Sequence, residues 1–313
     1  MNGAKKTAWR TYPRLIVLLA AACLPAACGQ RASEPAYRPT FVAPAARSSV
    51  VQYNFGVTPM SNFRNIYEVF QPIVEHLNGG LADAQLVLEV RRGLDEHAQQ
   101  LKARKFAFAL SNPYHTWNAA RRDGYRVFAK SADDDAFRGI WIVRRDSGIT
   151  ALADLKGRTL AFPPKSALAA TMMTHMQLKE AGVDPVAGIN ATYVGSQHAS
   201  IMAVYAKSAA AGATWPLAWA TFQRVNPAEA AQLEVRFPTG PLVNQGIVAR
   251  DDVPPALVAR VGELLAAMHR SEKGRALLAQ VPIERFEAAD GARYDVVGVF
   301  MDKYEQAFPA APE

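Results

Sequence analysis

An α/β fold with mainly parallel sheets flanked by helices is predicted by three features of the sequence. Runs with strand character and runs with helical spacing alternate from residue 50 almost to the end, the order that builds parallel sheets. Half of the residues are hydrophobic and a fifth are charged, a balance suited to a packed core and unlike that of a disordered chain. The 313 residues are enough for two cores, and no repeat at a solenoid period is visible.

The elements follow in order. "VVQYNFGV" (50–57) reads as the first strand. The helix after it places Ile66, Phe70, Ile73, Val74 and Leu77 at helical spacing and stops at Gly79-Gly80. "QLVLEV" alternates as a strand, "LDEHAQQLKARK" as a helix, and "FAFAL" is a buried-type strand ending in the loop "SNPY". "YRVFAK" and "GIWIVRR" are further strands. "ALADLKG" is a short helix, "RTLAFPP" a strand, and "SALAATMMTHMQLKEAG" a helix with Ser166 as its N-cap. Then come "ATYVG", "SQHASIMAVYAKSA", "AGATW", "PLAWATFQRVN" and "LEVRF". A turn-rich "PTGPLVNQG", the strand "IVAR" and two closing helices, 255–281 and 292–308, complete the chain.

The two ends of the chain differ in character. Lys5, Lys6, Arg10 and Arg14 precede the apolar run "LIVLLAAACLPAAC", which is short for a membrane span and reads as an export signal over residues 1–27. Four of the seven net positive charges lie there, leaving about +3 for the rest, no footprint for nucleic acid. The polar stretch begins just after Cys28, so "LPAACGQ" resembles a bacterial lipobox with Cys28 as the lipidated residue, although Pro25 stands where leucine is usual. An ordinary cleaved secretory signal is the plainer alternative. Residues 28–49, rich in Pro, Ala and Arg, read as a flexible tether.

Motifs for dinucleotide, P-loop, nucleophile-elbow or zinc-protease chemistry are missing. The six histidines show no metal-ligand pairing at i, i+4, and Asp133 to Asp135 read as a solvated turn. No nucleophile–base pair, metal site or cofactor site can be named, which speaks for a binding protein and against an exported enzyme. Trp141 and the Met172, Met173 and Met176 stripe read as core.

Three stretches in order, "SNPYHTW", "DSGITALADLKGRTLAF" and "HASIMAVYAKSAAAGAT", are similar to the phosphonate/phosphite-binding family of periplasmic solute-binding proteins. The resemblance implies a two-lobe periplasmic-binding-protein-like fold with a hinge, lobe I from 50–139 and 241–313, lobe II from 140–240. It further implies a small anionic ligand gripped between the lobes, and an ABC importer permease and ATPase as partners. With the signal, it makes the chain a periplasmic lipoprotein attached to a membrane. Carried over one at a time, the ligand residues are Thr58, Pro59 and Met60 after the first strand, Asn112 and Tyr114 after "FAFAL", Ser166 and Ala167, His198, and Thr214. For His198 the plainer alternative is a helix-start histidine bonded to a carbonyl. Departures are clear: Ala167, Leu168 and Ala169 stand where the family has hydroxyls and glycine, and Ala210 where it has an aspartate that would hold an ammonium group. An aminophosphonate is therefore not expected, a small oxyanion is, and Leu168 and Trp215 leave room for a more apolar ligand. A ligand-sensing or scaffold lipoprotein on the same fold is the alternative.

Overall fold

The computed structural model describes residues 50–309 apart from 60–62 and 282. The expected export signal, the tether, Cys28 and Met60 lie outside the described residues. The chain first lays down four strands of one sheet: β1 (Val51–Val57), β2 (Ala84–Val90), β3 (Phe108–Ser111) and β4 (Tyr125–Ser131). It then crosses to build a second sheet from β5 (Ile140–Arg144), β6 (Thr159–Phe162), β7 (Asn190–Tyr193), β8 (Ala211–Thr214) and β9 (Leu233–Arg236). Finally it returns with β10 (Gly246–Arg250) and β11 (Phe286–Ala288). The strand orders are β11-β4-β10-β3-β1-β2 and β7-β6-β8-β5-β9.

Both sheets are mixed, which refines the expectation of mainly parallel pairing. The β1–β2, β1–β3, β6–β7 and β6–β8 pairs are parallel, as helical crossovers require. The antiparallel pairs all involve β5, β10 or β11. Those strands include the first of each sheet after a crossing, and they enter the sheet against the run of the others. Alternation alone does not carry that direction.

Helices cover both faces of each sheet. In lobe I, α1 (Phe63–Asn78) is followed by α2 (Leu94–Lys102) and α3 (Pro113–Arg122). In lobe II, α4 (Thr174–Glu180), α5 (Gln197–Tyr205), α6 (Pro216–Val225) and α7 (Pro227–Ala230) follow. The last three, α8 (Pro255–Ala267), α9 (Glu272–Gln280) and α10 (Asp295–Ala307), return to lobe I. Residues 255–281, expected as one helix, split because Met268–Arg270 tighten into a 3₁₀ turn and Ser271 caps α9 by accepting from the Gly274 N–H. Residues 111–114 were expected as a loop, and no element was expected from 115 to 122; residues 113–122 are helical. They form α3, with the Asn112 side chain capping it and Pro113 at its first position.

One core lies under α1, α8 and α9. A second, with Phe106, Tyr125, Tyr294 and Met301, takes Phe137, Leu168, Met172 and Trp215 from the crossing and lobe II, so it spans both lobes. Trp141 is fully buried in a third and donates its indole N–H to Gln177 at 3.0 Å.

The two crossings run side by side. The Phe137 carbonyl accepts from the Leu242 N–H, the Gly139 carbonyl from the Thr239 N–H, and the Gly139 N–H donates to the Thr239 hydroxyl, each at 2.9 Å. Phe237, at the start of the return, has a left-handed φ of 45°; Gln177 clamps this bend by donating to the Phe237 and Pro238 carbonyls. Beside the crossings, Lys130 is buried and pairs with Asp134 at 2.8 Å and Glu287 at 2.9 Å. Asp134, expected in a solvated turn, also accepts from the Asn244 N–H and pairs with Arg293. Burial pushes its carboxyl up, but these donors win and hold it below the usual carboxylate range. The end of α10 reaches across to lobe II: Tyr304 bonds His175 at 3.2 Å, and Lys179 donates to the Ala307 carbonyl.

Gly139 leaves no room for a side chain, since a Cβ there would sit 2.4 Å from the Ala169 carbonyl oxygen. Gly139→Ala is expected to lower unfolding stability by about 1–3 kcal/mol, read as a lower urea midpoint; an unchanged midpoint would contradict this packing.

Candidate functional site

A cleft between the lobes encloses about 350 Å3 of space, part of it open to solvent. Its lobe I wall begins at Thr58, the first residue after β1, whose N–H donates to the Leu110 carbonyl at 2.9 Å. That bond continues the sheet by one step and turns the threonine side chain inward. It is 1% exposed, and its hydroxyl has no hydrogen-bond partner among the described residues. Pro59 and Leu94 lie beside it.

Asn112 follows β3. Its Oδ1 accepts from the His115 N–H at 2.9 Å to cap α3, and its amide nitrogen bonds no other described residue. Gln245, just before β10, completes this wall; its side-chain amide makes no hydrogen bond to another described residue.

Lobe II supplies the opposite wall through three strand ends. After β6 the chain turns at Pro163-Pro164 and enters a π-helical stretch, Leu168–Met173, that runs into α4. The Thr171 and Met172 N–H groups share the Ala167 carbonyl, which leaves the Leu168, Ala169 and Ala170 N–H groups without a carbonyl behind them. Residues 167–170 line the cleft. After β7, Ser196 caps α5 and Gln197 is its first residue. Gln197 is turned into the cleft and held there by the fully buried Thr214, whose hydroxyl donates to its Oε1 at 2.8 Å. After β8 comes Trp215, with its ring 5.5 Å from Phe137 of the crossing.

No charged side chain lines the cleft among the described residues. Behind Asn112 and Leu94 lie two buried histidines, His97 and His115, with rings 6.4 Å apart. His97 Nε2 meets the Ser111 hydroxyl at 2.8 Å, while His97 Nδ1 and both His115 nitrogens have no partner among the described residues. Burial holds His97 well below the usual imidazole range and takes His115 down to about 4, so both rings are neutral at pH 7. The described lining therefore offers an anion dipoles and donors rather than cations.

Of the residues expected from the sequence, Thr58, Pro59, Asn112 and Ala167 line the cleft. Thr214 stands one shell back. Tyr114 is half-buried against the core that spans the lobes and does not line the cleft. Ser166 does not cap a helix: Ala167 holds that position, because the turn after Pro164 runs one residue longer than expected. Its hydroxyl instead donates to Asp95 of α2 at 2.6 Å, a direct bond between the lobes. His198 is exposed on α5 with its ring 5.4 Å from Phe222. One helical step, about 100°, separates it from the inward-facing Gln197. Gln197, Gln245, Leu94 and Phe137 went unforeseen. Their only signal was position, at strand ends or helix starts facing the crossing.

The sequence profile of the family described as "ABC transporter, phosphonate, periplasmic substrate-binding protein" matches residues 55–294. The chain belongs to that family. As a member of it, this phosphonate-family binding protein is a substrate-binding component of an ABC transporter, a role that brings a small ligand and a permease and ATPase as partners. Its fold is similar to that of the binding-protein component of an ABC phosphonate transporter from Pseudomonas aeruginosa (TM-score 0.76, 16% identity, 84% of this chain and 89% of that one). It is also similar to PhnD1 from Prochlorococcus marinus in complex with methylphosphonate (TM-score 0.74, 18% identity, 80% and 97%). A looser likeness links it to the aliphatic sulphonate binding protein SsuA from Escherichia coli (TM-score 0.56, 15% identity, 83% and 89%). No curated protein matches the chain.

The neutral histidines give this binding protein a pH dependence. Folded His115 resists protonation down to about 4, whereas an unfolded ring takes a proton near 6.5. Stability present above pH 6.5 is therefore lost as pH falls towards 4, by on the order of 3 kcal/mol for this ring alone. Urea midpoints measured across that window should drop steadily with acid; a flat profile would show that the ring is not buried neutral.

Proposed function

We propose that the protein captures a small oxyanion of the phosphonate, phosphite or phosphate type between its lobes and delivers it to an importer, without chemical turnover. The observation that carries this reading is the convergence on one cleft of four neutral polar side chains from both lobes, Thr58, Asn112, Gln197 and Gln245, with the open N–H groups at 168–170. Oriented N–H and O–H groups stabilise negative charge where water is excluded, and a helix start adds its dipole. No carboxylate among the described lining residues opposes an anion. PhnD1, which shares the fold, is a methylphosphonate complex, in keeping with an oxyanion here.

In this reading Pro59 and the Ala167 main chain shape the site, Met60 is a further ligand residue by the family resemblance, and Thr214 fixes the Gln197 rotamer. The Ser166–Asp95 bond closes the rim, while Tyr114 and His198 serve packing. Lobe I comprises 50–139 and 241–313, lobe II 140–240, and ligand release follows rotation about the paired crossings. Removal of residues 1–27 and lipidation of Cys28 place the body on a membrane in the periplasm, with residues 28–49 as the tether.

A thermal-shift series with phosphate, phosphite, methylphosphonate, sulfate and small carboxylates tests the reading. A true ligand at a hundred times its dissociation constant adds about 2.7 kcal/mol to stability. Asn112→Ala is expected to weaken that ligand about tenfold, the cost of one hydrogen bond to a charged group. Silence across the panel from a folded sample would refute the reading; binding without any dependence of uptake on the chain would favour a sensing lipoprotein instead.

A further inference from the structure

Resting on the oxyanion reading, we infer that Thr214 is a positioning residue that fixes which end of the Gln197 amide meets the ligand, and that the cleft thereby takes an oxyanion only in its fully deprotonated form. An unrestrained glutamine can offer either its N–H groups or its carbonyl oxygen. Gln197 is buried and has no such choice. The Thr214 hydroxyl, fully buried at the end of β8, donates to its Oε1 at 2.8 Å. Its nitrogen bonds no other described residue and lies on the side that lines the cleft. Asn112 on the opposite wall is set the same way, since its Oδ1 accepts from the His115 N–H at the start of α3. Two walls with unrelated partners thus share one polarity. The open N–H groups at 168–170 add donors, and Thr58 and Gln245 can each donate as well.

A ligand oxygen that keeps its acidic proton needs an acceptor. Against an N–H group that proton meets another donor, so one hydrogen bond is lost and a buried donor stays unpaired. A fully ionised oxyanion offers acceptors only and satisfies them all. The second ionisation of a phosphate ester falls at about pH 6, so this selection acts where such ligands change form. The titratable and charged groups around the cleft are uncharged or engaged elsewhere. On α2 and α3, burial keeps His97 and His115 neutral, and His115 takes a proton only at about 4. Asp95 of α2 accepts from Ser166 at the rim. At the crossing, Asp134 is held by Lys130, the Asn244 N–H and Arg293. Lys165, in the turn after β6, lies over the Tyr193 ring, and His198 of α5 packs on Phe222 outside the cleft.

Titration calorimetry on the native chain with methylphosphonate and with methanesulfonate, from about pH 5.5 to about 8.5, spans the ligand's change of form. Only the dianion of methylphosphonate is competent, so its apparent affinity should fall about tenfold per pH unit below its second ionisation and level off above it. Methanesulfonate, ionised and without an acidic proton throughout, should bind with the same affinity at every pH. Gln197→Glu keeps the shape but puts an oxygen in place of the N–H groups, and should move the tightest binding of methylphosphonate to lower pH. Thr214→Val should flatten the slope and Thr214→Ser restore it, whereas a merely structural Thr214 would scale affinity equally at all pH. A flat methylphosphonate profile, a methanesulfonate profile that falls in parallel, absent methanesulfonate binding, or an unchanged slope in Thr214→Val or Gln197→Glu would overturn this inference while leaving the oxyanion reading intact. Failure of both anions to bind at any pH would take down the oxyanion reading itself.

Discussion

The hydrogen-bonded pairing of residues 137–139 with 239–242 is the constraint on which the rest of the molecule depends. Among the described residues the chain passes between the sheets only there, once in each direction. Phe137, which closes one side of the cleft, is the first residue of the outward pass. Gln245 stands a few residues after the return. The Ala169 carbonyl, at the start of the lobe II helix, approaches Gly139 too closely for any side chain there. Joint and binding surface are thus made of the same residues, and moving one moves the other.

Two further devices keep the joint in register. The buried Lys130 with Asp134 and Glu287 is expensive to desolvate, so its worth lies in geometry more than in stability. By accepting from the Asn244 N–H, Asp134 fixes where the return pass rejoins lobe I, and the Tyr294 hydroxyl holds the Asn244 carbonyl from the other side. The second device is α10, which starts on lobe I and ends against His175 and Lys179 of lobe II. Rotation of the lobes must pivot about that contact or break it.

The fold was legible because hydrophobic periodicity and strand–helix alternation are local. The direction of β5, β10 and β11 was not, since it depends on which sheet a strand joins after a crossing. Helix α3 hid behind Asn112-Pro113, a pair that reads as a turn yet also makes a good helix start. At the site, Thr58 and Asn112 came from the family resemblance, and both line the cleft because each directly follows a hydrophobic strand. Lobe II was harder. A one-residue difference in where the helix after Pro164 begins separates Ser166 as a cap from Ser166 as a bridge to Asp95. The same small step puts Gln197 rather than His198 in the cleft, and sequence patterns place helix ends only to within a residue or two.

A cleft whose described lining offers amides and a hydroxyl, with no lysine or arginine of its own, has a consequence for how it behaves in different media. Mobile ions weaken the pull between net charges, but they act less on fixed dipoles set in the walls of a cleft. Ionic strength should then alter the grip of the described lining less than it would a site built on net positive charge.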